Sequence, residues 1–127
     1  MESQDNMRTA KQLAGDQSED LAVAHLERAG LHVRARNYRF RGGDIDCIAI
    51  VGDTLVFVEV RYRKSSQFGG AAASIDTRKQ QRIIHAAQVY LLKYPRQANR
   101  PCRFDCVLLD SLHAEQIDWI KDAFQLV

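Results

Sequence analysis

The chain of 127 residues fits one domain of ordinary size and leaves no room for a second core. Apolar residues make up 46% and charged residues 27%, the balance of a soluble chain that folds, which excludes disordered, collagen-like and membrane compositions. The net charge of +2 is too small to argue for nucleic acid by itself, and the N-terminus carries no apolar signal segment, so the expected location is cytoplasmic.

The charge is nevertheless unevenly spread. Residues 1–20 carry −3, 21–43 +4, 44–60 −4, 61–103 +9 and 104–127 −4. An acidic block between two basic ones suits a site that holds a cation and a polyanion together, if the fold brings the blocks to one surface. An ordinary solvated mixture of charges explains the counts equally well.

Residues 1–10 are expected to be a flexible N-terminus and 11–127 a single domain. Good helix formers over 11–29, followed by Gly30, predict a first helix. Its spacing puts Glu19 on or beside the face of Ala22, Val23 and Leu26, where an edge position reaching solvent is the plainer reading. Residues 31–40 alternate Leu31, Val33 and Ala35 with His32, Arg34 and Arg36, a half-exposed strand with basic side chains outward. Residues 44–51 and 54–63 read as two strands joined at Gly52-Asp53, a hairpin signal. The small residues 69–73 read as a loop. Thr77 and Gln80 form a possible T-x-x-Q capping box, and Ile83, Ile84, Ala87, Tyr90, Leu91 and Tyr94 continue at helical spacing. A fourth strand is expected over 102–110, a turn over 113–116, and a short strand or helix start over 117–120. This order predicts an α/β chain with a mixed sheet, the long connection making a parallel crossover and the hairpins antiparallel pairs. Cys47, Cys102 and Cys106 have no C-x-x-C spacing and read as small buried hydrophobes. His25, His32, His85 and His113 have no ligand spacing and are assigned no role.

With Gly52 and Asp53 as loop residues, opposed residue numbers sum to 105. Asp46 then faces Glu59, Asp44 faces Arg61, and all four share one face of the sheet. Opposed carboxylates repel unless a cation neutralises them or solvent screens them. Mg2+ needs only one or two protein carboxylates and completes its shell with water and substrate phosphate, which makes Asp46 and Glu59 candidate ligands and Glu19 a ligand through water. The plainer alternative is an Asp44–Arg61 ion pair beside two solvated acids.

Gly43-Asp44-Ile45-Asp46 followed by Glu59-Val60-Arg61 resembles the D…(D/E)-x-K core of restriction-endonuclease-like nucleases. More closely, Gly15…Glu19-Asp20, Arg36-Asn37-Tyr38-Arg39, the segment from Val56 to Arg61, Phe68-Gly69, Lys79-Gln80, Arg103-Phe104-Asp105 and the segment from Trp119 to Phe124 together resemble the small bacterial YraN family over about residues 10–127. The resemblance implies a restriction-endonuclease-like fold, with a central mixed sheet flanked by helices, similar to archaeal Holliday junction resolvases. It implies a Mg2+- or Mn2+-dependent endonuclease with Glu19, Asp46 and Glu59 on the acidic positions. Arg61 falls on the lysine position, a departure: lysine can share a proton, whereas arginine stays charged and can only orient and stabilise. Lys79 is a substitute donor on this reading, a solvated helix-end lysine on the plainer one.

Arg36, Arg39, Arg63, Arg78, Lys79 and Gln80 are the candidate nucleic-acid contacts, with Arg34, Arg41, Lys64 and Arg82 as further phosphate partners. Gln80 could equally serve as a cap. Tyr38, Phe40 and Tyr62 could stack on bases or lie in the core, and Asp105 is expected to be buried and paired with a backbone donor or an arginine. The expected partner is branched or single-stranded DNA; no membrane is expected, and a homodimer is allowed. Three functions compete: a structure-selective DNA nuclease, a nucleic-acid-binding module that has lost cleavage, and a protein-interaction domain whose acids are structural.

Overall fold

The computed structural model describes residues 9–40, 42–63, 70–113 and 116–125. Its elements in chain order are α1 (Ala10–Arg28), β1 (His32–Phe40), β2 (Gly43–Val51), β3 (Thr54–Tyr62), α2 (Gly70–Ala73), α3 (Thr77–Lys93), a 3-10 turn (Gln97–Asn99), β4 (Cys102–Leu109) and β5 (Ile117–Phe124). The five strands form one sheet in the order β1-β2-β3-β4-β5. β1, β2 and β3 are successive antiparallel neighbours, β4 lies parallel to β3 after the helical crossover, and β5 returns antiparallel. This is the mixed sheet expected, and its fifth strand runs on to Phe124, past the short segment the sequence suggested.

Each face of the sheet carries a helix because its strands offer apolar side chains to both sides. On one face Ala22, Val23 and Leu26 of α1 pack on Cys47, Ala49, Val56, Val58, Val107 and Leu109. On the other, Ile83, Ala86, Ala87 and Tyr90 of α3 pack on Ile48, Ile50, Leu55, Phe57 and Phe104. The architecture is therefore three-layered, an α/β sheet flanked by helices, consistent with the restriction-endonuclease-like fold. The hairpin between β2 and β3 turns at Gly52, whose φ of +57° an L side chain rarely adopts.

Four local expectations change. The T-x-x-Q box lies at the start of α1: Thr9 Oγ1 accepts from the Gln12 N–H and Gln12 Oε1 accepts from the Thr9 N–H. α3 is capped instead by Asp76, whose carboxylate accepts from the Lys79 N–H at 2.9 Å, since a carboxylate one residue earlier reaches the free N–H groups first. Residues 70–73, expected as loop, form the short helix α2, with Ala71 buried. In β1 the register shifts between Val33 and Ala35, so Val33 joins the α1 side and Ala35 the α3 side.

Cys47 and Cys106 are buried and free, with burial pushing both thiols up to about 12; Cys102 is free but only partly buried. Asp105 is fully buried as expected. It accepts from Arg103 Nε at 3.1 Å, from Trp119 Nε1 at 3.0 Å and from the Asp122 N–H at 2.9 Å, tying β5 to β4. Asp122 itself has a φ of +53°. No described helix is long and apolar enough to cross a membrane.

Candidate active site

The predicted register, with opposed numbers summing to 105, holds from Val51↔Thr54 to Cys47↔Val58 and is not continued to Asp46. The reason is visible in the strand. Ile45 packs in the α3-side core and Cys47 in the α1-side core, yet residues two apart on a regular strand share a face. The alternation thus breaks at Asp46. Across β1, Arg36↔Cys47 and Tyr38↔Ile45 remain paired, while Asn37 between them takes a φ of +51°. Asp46 is consequently freed from the ladder, and its Oδ2 accepts from the Val60 N–H at 2.8 Å.

At this break the Asp46 and Glu59 carboxyls are close neighbours. Burial first, then the adjacent Glu59 and its charge, hold the Asp46 carboxyl well above its usual value, against the lowering effect of the Val60 N–H. Glu59 is 2% exposed. Its Oε2 is buried and accepts no hydrogen bond, but two cations approach it: Arg61 Nε at 3.3 Å and Lys79 Nζ at 3.2 Å. Arg61 thus pairs with Glu59, and the expected Asp44–Arg61 pair is absent among the ion pairs of the described residues. Lys79, which the plainer reading left solvated, has a side chain only 19% exposed.

A cleft of about 770 Å³ opens between α1 and the ends of β1, β2 and β3. Glu19, Asp44 and Asp46 bring acid to its wall, and Lys11, Arg39, Arg61 and Arg63 bring base. Glu59 lies behind this wall, in contact with Asp46. Glu19 is nearly buried and doubly held, accepting from Arg36 Nε and Asn37 Nδ2, each at 3.0 Å. Burial raises its carboxyl above the ordinary value, the Arg36 hydrogen bond opposes this, and the Asp46 charge adds to the rise. Arg36 is also tied to Asp20 at 2.6 Å, so this predicted phosphate contact spends its guanidinium on two acids of α1.

Arg39 and Arg63 are exposed at the cleft, and Arg78, Arg34 and Arg82 are exposed elsewhere. Gln80 Nε2 donates to the Ile75 carbonyl at 3.3 Å, fastening the approach to α3. Tyr38 lies in the α3-side core with its ring 5.2 Å from Tyr90, and Tyr62 packs beside the α1-side core at the cleft. His25 packs edge-on against Trp119 at 5.8 Å. Arg41, Lys64, Phe68 and Gly69 lie outside the described residues, as does the Phe40 side chain. Sequence reasoning named Asn37 only within the Arg36-Asn37-Tyr38-Arg39 motif, without a role, and gave Lys11 none. Asn37 carried a signal, since asparagine is among the few residues that enter the left-handed region readily; Lys11 carried none.

The donor set fits one hard divalent cation. Glu59 Oε2 is a buried carboxylate oxygen without a hydrogen bond, and the neighbouring Asp46 carboxyl, pushed up by burial and by Glu59, is one whose charged form a cation would favour. Among the described residues no group of three or more histidine, cysteine, aspartate or glutamate side chains is arranged to hold a metal; a cation here would have Asp46 and Glu59 as its protein ligands and water for the rest of its shell.

The family model described as "Uncharacterised protein family UPF0102" matches residues 18–109. A UPF0102 protein of Dechloromonas aromatica (strain RCB) is 56% identical over 110 residues, 87% of each chain. A UPF0102 protein of Pseudomonas fluorescens (strain Pf0-1) is 49% identical over 111 residues, 87% of this chain and 92% of its own. One from Janthinobacterium sp. (strain Marseille) is 49% identical over 118 residues, 93% of this chain and 92% of its own. With its motifs, its mixed sheet and these matches together, the chain belongs to the UPF0102 family, the YraN family.

Proposed function

We propose that this protein is a divalent-metal-dependent DNA endonuclease acting on branched or single-stranded DNA. The observation that carries the reading is the close Asp46–Glu59 carboxyl pair, set where two strands part beside a cleft whose wall also bears Arg39, Arg61 and Arg63. Two neighbouring buried carboxyls are costly without positive charge beside them; Arg61 and Lys79 supply it at Glu59, and a divalent cation would supply it at Asp46. Asp46 and Glu59 would hold Mg2+ or Mn2+, with Glu19 acting through water. The bound cation would neutralise phosphate charge and lower the barrier to attack by water. In the reaction the water oxygen bonds to phosphorus and the bond from phosphorus to one ester oxygen breaks. One proton of the water ends on the leaving oxygen, giving a phosphomonoester and a hydroxyl.

Arg39 and Arg63 would position the phosphate backbone without reading sequence. Arg61 beside Glu59 would orient a phosphate and stay charged throughout. A second reading, a nucleic-acid-binding module without cleavage, is favoured by that same guanidinium and by the two cations that converge on Glu59 Oε2, a balance that suits an anion when no metal is bound.

Calorimetric titration with Mn2+ tests the metal site, the parent binding and Asp46→Asn and Glu59→Gln losing it while remaining folded. Equal Mn2+ binding by parent and variants would place the cation elsewhere. A branched-DNA cleavage assay on the parent then separates the nuclease from the binding module.

A further inference from the structure

Resting on the nuclease reading, we infer that Lys79 is a catalytic residue of this site, supplying from α3 the ammonium that the D…E-x-K pattern would place at Arg61. Three observations converge on it. Lys79 Nζ lies 3.2 Å from Glu59 Oε2, the buried oxygen that accepts no hydrogen bond. The Lys79 backbone is fixed as well, its N–H donating to the Asp76 carboxylate at the cap of α3. Its position four residues before Ile83, which is 2% exposed in the α3-side core, turns the side chain toward the sheet rather than outward.

Arg61 reaches the same oxygen from the strand, so the site holds two cations of different kind on one carboxylate. Their chemistries divide the work. The planar guanidinium of Arg61 suits a fixed, forked grip on a phosphate. The ammonium of Lys79 is a compact point charge with three rotatable donors; one is engaged with Glu59, and on this inference another turns to a non-bridging phosphate oxygen when DNA is bound. In phosphodiester hydrolysis negative charge grows on the non-bridging oxygens as the water oxygen adds and the ester oxygen leaves. A donor aimed at that charge acts in the transition state more than in the ground state.

The test compares the parent, Lys79→Gln, Lys79→Arg and the double variant Lys79→Gln/Arg61→Lys. Three quantities are read on each: Mn2+ affinity by calorimetry, affinity for a labelled four-way DNA junction in Ca2+ or EDTA, and the single-turnover cutting rate in Mn2+. Both Lys79 variants are expected to bind Mn2+ and junction within about threefold of the parent and to cut it about 100-fold more slowly or worse, the loss typical of one transition-state donor. The double variant is expected to recover cutting, because Arg61→Lys returns an ammonium to the same Glu59 oxygen from the strand. Cutting by Lys79→Gln within threefold of the parent overturns the assignment. So does a loss matched by lost Mn2+ or junction binding, or a loss that Arg61→Lys leaves unrepaired. A parent that cuts nothing fails the nuclease reading itself, an outcome distinct from a parent that cuts and a Lys79→Gln variant that cuts as well.

Discussion

At the scale of single residues, the Asp46–Glu59 pair ties stability to pH. Asp46 is held above its usual carboxyl value when folded, so the unfolded chain gives up that proton first. Its contribution to stability is full below the unfolded value, near pH 4, and is lost as pH rises through the folded value. Asp46→Asn removes this loss while keeping an amide oxygen for the Val60 N–H. The metal-free variant should therefore melt higher than the parent at neutral pH, by about 4 °C for each kcal/mol relieved, with the gap closing toward pH 4. A variant that melts lower than the parent at pH 7 contradicts the raised Asp46 carboxyl. Asp105 is the opposite case, a buried carboxylate satisfied by Arg103, Trp119 and Asp122. Asp105→Ala would strand those donors inside the fold, and urea denaturation should show a loss of about 3–5 kcal/mol. A loss below about 1 kcal/mol would mean that water replaces the carboxylate easily.

At the scale of elements, α3 carries both the core and a site residue, and its cap fixes where Lys79 begins. Asp76→Ala should cost about 1 kcal/mol and Asp76→Ser should restore most of it, whereas Thr77→Ala should be nearly neutral because Asp76, not Thr77, accepts from the Lys79 N–H. Thermal melts of the three variants decide the assignment. The wrong cap in the sequence reading has a simple origin: Thr9–Gln12 and Thr77–Gln80 spell the same pattern, and only the backbone path distinguishes them. The hairpin register was legible because Gly52-Asp53 and the apolar alternation around it set the pairing from Val51↔Thr54 to Cys47↔Val58. It failed at Asp46 because Ile45 and Cys47 are both apolar, and a two-letter pattern does not say which core takes which. Lys79 could be named but not placed. Its meeting with Glu59 joins residues twenty apart through the packing of α3 on the sheet, which local spacing does not encode. The β1 register shift at Val33 and Ala35 was hidden for the same reason.

At the scale of the whole molecule, a net charge of +2 hides a field shaped by position. Carboxylates are neutralised internally, Glu19 and Asp20 by Arg36, Glu59 by Arg61 and Lys79, and Asp105 by Arg103. Arg39 and Arg63 stay exposed beside the cleft and Arg78 on α3. DNA binding should fall steeply with salt, and alanine at Arg39, Arg63 or Arg78 should weaken it for all sequences alike, each lowering the salt slope by about one. Arg36→Ala should differ, lowering the melting temperature because it leaves nearly buried Glu19 without its cation. Binding unchanged between low and physiological salt would argue against a phosphate interface.

The nuclease reading as a whole meets its most direct test in the cutting of a labelled four-way DNA junction by parent and Glu59→Gln, side by side, in Mn2+, Mg2+ and EDTA. The parent should cut with either metal and not in EDTA, and Glu59→Gln should bind the junction as the parent does yet cut it at least about 100-fold more slowly. A parent that binds the junction and leaves it intact with both metals, or a Glu59→Gln variant that cuts at the parent's rate, would contradict it.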